Sequence, residues 1–257
     1  MLCGIRCSDE RKVFARESTK EESPFVCPRC KNELVIRKGN IKIHHFAHKP
    51  PFNCSHGEGE TEAHRRCKES IYNNLKSKTN VTHVDVEADL GSLVADIYAV
   101  INGAPVAIEV QKSNISVNEI TRRTTEYHKA GISVLWLALF NDRLNNERYS
   151  PGAWEKWCHA VYFGRVYYWL GESTVLPVHF SEYHLYVEES TWFESGGYEQ
   201  SAGGYYKTSK RYKTPVPGNE VDIATHFSPS TKNEWQGGTV YIPSCRIYLD
   251  KQRAWWK

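Results

Sequence analysis

The sequence predicts an α/β protein, a mixed β-sheet flanked by helices, with a small metal-binding β-hairpin module near its N-terminal end. Three observations predict it. Cys27-Pro-Arg-Cys30 is followed, after residues 31–44, by His45-x-x-His48. Asn102-Gly103 separates two β-branched runs, the strongest hairpin signal a short stretch can carry. Residues 132–140, ISVLWLALF, form a continuous apolar run that reads as a strand buried on both faces.

The elements follow in order. Short β-type runs at 34–36 and 41–43 flank Lys38-Gly39-Asn40, a second hairpin signal. A helix is expected from about Thr61 to Lys76. THVDVEADL, LVADIYAVI and PVAIEVQ then read as three strands. Ser116-x-x-Glu119 is a capping-box pattern opening a helix to Lys129, with Gly131 suited to its C-terminal cap. The order is therefore helix, three strands, helix, strand. Residues 150–180 are rich in Trp and Tyr and carry a possible hairpin at Gly164-Arg165. Residues 195–218, dominated by Gly, Ser, Tyr and Lys, bury too little apolar surface to fold alone and read as a mobile loop. The expected units are a metal-binding module at 1–57, a core at 58–190 and a C-terminal extension at 191–257.

Composition bounds the function. Thirty-three Lys and Arg against 30 Asp and Glu give a net charge of +3, so contact with nucleic acid must come from local patches. No 18-residue apolar run exists and MLCGIRCSDERK carries charges in place of an apolar leader, so a cytoplasmic protein with no membrane span is expected. Six of the eight cysteines fall in the first 67 residues. Clustered Cys beside His, without an export signal, reads as metal binding. Two thiolates from Cys27 and Cys30 and two imidazoles from His45 and His48 would close a structural tetrahedral Zn²⁺ site, with Cys54 as the competing ligand.

The hairpin arithmetic concerns Asp96 and Glu109. With a two-residue turn at Asn102-Gly103, residue i faces residue 205 − i, so Asp96 lies across from Glu109 in a non-hydrogen-bonded pair. Pro105 falls opposite Val100, also a non-hydrogen-bonded position, which is where the ladder tolerates proline. Like charges so placed repel. A divalent cation would reverse the sign, and Mg²⁺ or Mn²⁺ suits two carboxylates plus waters. The bland alternative is a solvated sheet face. Gln111 shares the face of Glu109. Glu60, His64 and Lys68 recur at helical spacing and form either a solvent-facing stripe or a catalytic one, with His64 exchanging protons and Lys68 stabilising a phosphate.

Taken together, CPRC at 27–30, the RKG turn at 37–39, His45-Phe46-Ala47-His48, Glu60 to His64 to Lys68, Ala95-Asp96, Ile108-Glu109-Val110-Gln111, Arg123-Thr124-x-x-Tyr127 and Val134-Leu135-Trp136 resemble the CoiA-like competence-protein family, a branch of the PD-(D/E)XK nuclease superfamily. The resemblance implies a restriction-endonuclease-like αβββαβ core behind a zinc module. It also implies DNA processing in recombination, uptake or defence against foreign DNA, with a partner protein from such a pathway. Asp96 and Glu109 match the superfamily's acids, and Gln111 stands where its name has Lys. Lys68 is then the candidate cation, and Arg123, with Tyr127 four residues on, either contacts the backbone phosphate or braces its helix.

Two further features favour DNA. Arg29, Lys31, Arg37, Lys38, Lys42 and Lys49 give the module a local positive excess. Tyr205 to Lys213 interleaves aromatics with Lys207, Lys210, Arg211 and Lys213, a pattern that stacks on unpaired bases, so single-stranded DNA is a candidate ligand against a plain solvated loop. The expected activity is metal-dependent phosphodiester hydrolysis. The competing readings are a non-catalytic nucleic-acid-binding accessory on a degenerate nuclease fold, which Gln111 keeps open, and a zinc-stabilised protein-interaction module.

Overall fold

The computed structural model describes residues 1–51, 54, 60–111, 115–237 and 240–257. Its N-terminal module is a five-stranded sheet of β1 (Cys3–Arg6), β2 (Lys12–Phe14), β3 (Phe25–Val26), β4 (Glu33–Arg37) and β5 (His45–His48), in the order β2-β1-β3-β4-β5. Phe25, Leu34, Ile36 and Phe46 make a small core of its own. The hairpin expected around residues 38–40 is present, but its second strand is displaced. β4 pairs with residues 45–48, so residues 41–43 belong to a longer connection. Ile41 is thereby left 91% exposed.

The main body begins with α1 (Glu62–Lys76), β6 (Val81–Asp89), β7 (Val94–Ile101), β8 (Ala104–Gln111), α2 (Val117–Lys129) and β9 (Ser133–Leu139). Thr61 caps α1 by accepting the His64 amide, and Ser116 caps α2 by accepting that of Glu119. A helix, α3 (Ala153–Val161), precedes β10 (Val166–Gly171) and β11 (Thr174–Val187), so this hairpin turns at residues 172–173 and not at Gly164-Arg165. Then come β12 (Ser190–Phe193), β13 (Glu199–Ala202), β14 (Tyr205–Pro217), β15 (Val221–Asp222), β16 (Phe227–Lys232), β17 (Trp235–Gly237), β18 (Val240–Ile242) and β19 (Cys245–Asp250).

The large sheet is mixed, with the path β14-β11-β10-β9-β8-β7-β6. β6, β7 and β8 form an antiparallel meander, while β9 runs parallel to β8, β10 and β19. β9 is the buried centre that its unbroken apolar run demands, with Val134 to Ala138 all inside. Trp136 anchors α2 to it by donating its indole N–H to Thr124 at 3.0 Å.

Two expectations for the C-terminal part are corrected. Residues 205–217 are a long strand laddered to β11, not a loop. Main-chain hydrogen bonds to a long neighbour supply what side-chain burial does not, and Tyr, Thr and Val suit a pleated surface. Val221, Ile223, Phe227, Ile242 and Ile247 also belong to the main core, so the last segment completes the body instead of extending from it. Among the described residues no helix is long and apolar enough to cross a membrane.

Candidate active site and candidate metal centre

Two consecutive tight turns set three carboxylates abreast. The β7–β8 ladder runs from Ile101–Ala104 to Ile97–Ile108, the register in which Asp96 and Glu109 are the next facing positions. The β6–β7 ladder pairs Val86 with Ile97 and Ala88 with Ala95, so Glu87 stands opposite Asp96. Gly91, with φ of 84°, opens the two-residue turn closed by Leu90 and Leu93.

The β7–β8 ladder ends for a visible reason. Asp96 Oδ2 accepts the Val110 amide at 2.9 Å, the N–H that the following ladder pair would have used. β8 continues beside β9 as far as Gln111, so β7 and β8 part at the acids. Arg123 of α2 fills the opening. It donates to the Val94 carbonyl at 3.0 Å and pairs with Glu109 Oε1, which also accepts the Tyr127 hydroxyl.

Lys68 is the hub on the other side. Its ammonium, on a side chain almost fully buried, pairs with Glu60, with Glu87 at 2.7 Å and with Asp96 Oδ1 at 3.7 Å. His64 Nε2 lies 3.0 Å from Asp96 Oδ2. Glu60 precedes the N-cap of α1 and so is not on the helical stripe with His64 and Lys68, yet its carboxylate still reaches Lys68 and lies 2.8 Å from the Met1 ammonium.

Glu87 is the member of this candidate site that sequence reasoning missed. It accepts the amides of Leu2 at 2.8 Å and Cys3 at 3.1 Å, and it is the one member of the group held at positive φ, 51°. Such a conformation costs a non-glycine residue on the order of 1 kcal/mol and persists where surrounding contacts dictate it. The signal was available: counting across Gly91-Ser92 as across Asn102-Gly103 places residue i against 183 − i, hence Glu87 against Asp96.

The electrostatics follow from burial set against these cations. Burial alone would raise Glu87, but Lys68 and the Leu2 amide bring it down to about 2. Asp96 is likewise pushed up by burial and then held below the ordinary carboxylate range by Lys68, His64 and the Val110 amide. Glu109 is raised: its burial and the charge of Asp96 outweigh Arg123 and Tyr127. Lys68 is held firmly protonated, since Glu87, Asp96 and Glu60 overcome its desolvation. The sequence offered a divalent cation as what would reverse the repulsion. Lys68 and Arg123 already do so.

The residues nevertheless fit a hard cation. Among the described residues, no hydrogen bond engages Asp96 Oδ1 or Glu109 Oε2, leaving one carboxylate oxygen on each for a metal that takes one or two carboxylates and several waters. Arg123, read as a phosphate contact or a brace, is committed to Glu109 because its helix faces β8. Gln111 ends β8 opposite Ala138. Lys207, Lys210 and Arg211 lie exposed on β14, separated from β8 by β11, β10 and β9, or roughly 20 Å at ordinary strand spacing.

The second cluster lies in the module. Ligand atoms of Cys27, Cys30, His48 and Cys54 all fall within 4.8 Å of one another. The hairpin turn after β3 presents the first two cysteines, with the Cys27 amide bonded to Asn32 and that of Lys31 to the Cys27 carbonyl. Cys30 Sγ is 3.3 Å from His48 Nε2. Burial raises Cys27 to about 11. Burial also acts to raise Cys30, yet the Asn32 amide and the Cys54 and Cys27 thiols leave it below the ordinary thiol value.

His45 is not part of this group, which corrects the expected ligand set. His45 and His48 are three apart on one strand, so they point to opposite faces. His48 shares its face with buried Phe46, whereas His45 Nδ1 donates to the Ile43 carbonyl at 2.9 Å. Cys54 takes the fourth place. Three thiols and one imidazole, their ligand atoms all within 4.8 Å of one another, are a donor set compatible with structural zinc.

The comparisons agree with this division. The N-terminal domain of competence protein CoiA matches residues 9–57, and the CoiA nuclease-like domain matches residues 60–158. The chain belongs to the CoiA-like competence-protein family. Competence protein CoiA of Bacillus subtilis (strain 168) is 29% identical over 114 residues, which cover 44% of this chain and 31% of that protein. The match thus spans about a third of the length of its curated relative. No solved structure matches the chain. All six acidic-centre residues, Glu60, His64, Lys68, Glu87, Asp96 and Glu109, fall within the nuclease-like match, and the four thiol and imidazole ligands within the N-terminal one.

Proposed function

We propose that this protein is a metal-dependent nuclease that hydrolyses DNA phosphodiester bonds on a restriction-endonuclease-like αβββαβ core, in the cytoplasm, during uptake, recombination or defence against foreign DNA. The observation that carries the reading is the pair Asp96 and Glu109. They sit where two strands part, each with one oxygen held by hydrogen bonds and one without a hydrogen bond among the described residues, that of Asp96 facing the buried Lys68.

Asp96 and Glu109 would hold Mg²⁺ or Mn²⁺, which when bound lowers the pKa of a coordinated water and polarises a phosphoryl oxygen. The chain's own groups do the positioning. His64 and the Val110 amide fix the Asp96 plane, while Arg123 and Tyr127 fix that of Glu109. Lys68 supplies the fixed positive charge that Gln111 lacks, acting through Asp96. Lys207, Lys210 and Arg211 would hold a phosphate backbone, with the neighbouring tyrosines stacking on unpaired bases. Zinc at Cys27, Cys30, His48 and Cys54 is structural, since four protein ligands leave no open position.

The test is incubation of purified protein with linear, circular and single-stranded DNA in Mg²⁺, Mn²⁺ or chelator. Asp96→Ala is expected to abolish cleavage while zinc content stays unchanged. A second reading, a non-catalytic DNA-binding accessory, is favoured by the internal neutralisation of the acids by Lys68 and Arg123. Binding without cleavage of any substrate in either metal would select it.

A further inference from the structure

From β11 and β14 a two-stranded ribbon runs outward and is capped by the β12–β13 hairpin. Every residue from 188 to 202 is exposed. An isolated two-stranded hairpin is at best marginally stable in water, so this one has an uncovered face to account for. Its charge changes sign along its length. The root carries Lys207, Lys210, Arg211 and Lys213, whereas residues 188–204 contain four glutamates and no Lys, Arg or His. Between those glutamates Trp192, Phe193 and Tyr198 stand 46%, 72% and 73% exposed. An acidic tip of this kind repels nucleic acid and is complementary to a basic surface with an apolar centre.

The same chain presents such a surface. Residues 37–42, joining β4 towards β5, are all exposed and hold Arg37, Lys38 and Lys42 around the projecting Ile41, with no acid from residue 34 to residue 48. The two elements cannot meet within one molecule by a short path. The ribbon leaves the β14 edge of the large sheet, while the module is attached at the opposite edge, where Lys12 pairs with Asp85 of β6 at 2.8 Å. Seven strands lie from edge to edge, roughly 29 Å at ordinary strand spacing.

We propose that the ribbon tip of one copy docks on the basic 37–42 turn of a second copy, and the reverse, forming a closed two-fold dimer. Complementary elements at opposite ends of a chain satisfy each other twice when two copies lie head to tail. The three tip aromatics expose about 400 Å², and two reciprocal contacts covering that area on both sides bury roughly 1,600 Å², the size of a standard specific interface. Glu188, Glu189, Glu194 and Glu199 face the cations of the turn, and Trp192 and Phe193 pack about Ile41.

Sedimentation velocity of the full, zinc-loaded chain tests this. The dimer is expected to weaken ~10-fold or more between about 0.05 and 0.5 M salt, because the contact is charge-rich and exposed at its rim. Reversing the four tip glutamates to Lys, or Arg37, Lys38 and Lys42 to Glu, each yields a monomer. An equimolar mixture of the two variants restores the dimer, since each reversed element then meets its opposite; that result excludes misfolding as the cause. A monomeric wild-type chain at about 100 μM, roughly a hundredfold above a micromolar dissociation constant, overturns the proposal, as does a dimer untouched by tip reversal. Neither outcome bears on cleavage by Asp96 and Glu109, which is read separately.

Discussion

The acidic centre and the thiol cluster both gather metal-ligating groups, but only one carries its own counter-charge. Around Glu60, Glu87, Asp96 and Glu109 the chain places Lys68, Arg123 and the Met1 ammonium, so three buried carboxylates and the half-buried Asp96 have cations already in contact. Around Cys27, Cys30, His48 and Cys54 it places no salt bridge among the described residues, and burial holds Cys27 protonated up to about 11. The acids of the first cluster are neutralised by the chain's own cations. The second is a three-thiol, one-imidazole donor set compatible with structural zinc.

That contrast is sharpest under chelation. Stripping zinc is expected to unfold the module's sheet, because structural zinc binding contributes about 10 kcal/mol or more that is inseparable from folding. Amide exchange should then rise across residues 1–48 while β9 stays protected; a module that remains protected without zinc would break the comparison. Lys68→Ala comes next. It leaves buried Glu60 and Glu87 and half-buried Asp96 around a missing cation, and urea unfolding should show a loss of about 3–5 kcal/mol.

The smallest effect is the pH dependence of Glu87. Its folded value is depressed to about 2, so its contribution is fully present above about pH 4.5 and is lost as the pH falls from there towards 2, on the order of 3 kcal/mol. Glu109 runs the other way: its carboxyl is raised, so protonating it relieves a cost and softens the acid loss. Glu87→Gln should flatten the stability curve in that acid window while leaving the neutral-to-alkaline limb unchanged in shape.

Much of the acidic centre was legible because turn chemistry sets strand register. Asn102-Gly103 admits one close pairing, and that pairing brings Asp96 to Glu109 without any knowledge of the rest of the molecule. Glu87 could have been read in the same way from Gly91-Ser92. The thiol cluster was legible as a cluster but not as a ligand set. Spacing counts residues, whereas a strand sorts them by parity, and His45 and His48 differ by three. Arg123 stayed open between a phosphate contact and a brace, because only the packed molecule shows that its helix faces a buried acid.

Local chemistry along the chain determined the αβββαβ order, the caps of both helices, the hairpin register and the presence of two metal-ligating regions, because each rests on contacts between residues close in sequence. Tertiary structure decided the rest. It brought Leu2 and Cys3 to Glu87, laid residues 205–217 along β11 and placed Cys54 beside His48, since these depend on which surfaces burial brings together across long separations. Desolvation then made the difference between a repelling row of acids and a neutralised one, and desolvation is a property of the packed molecule alone.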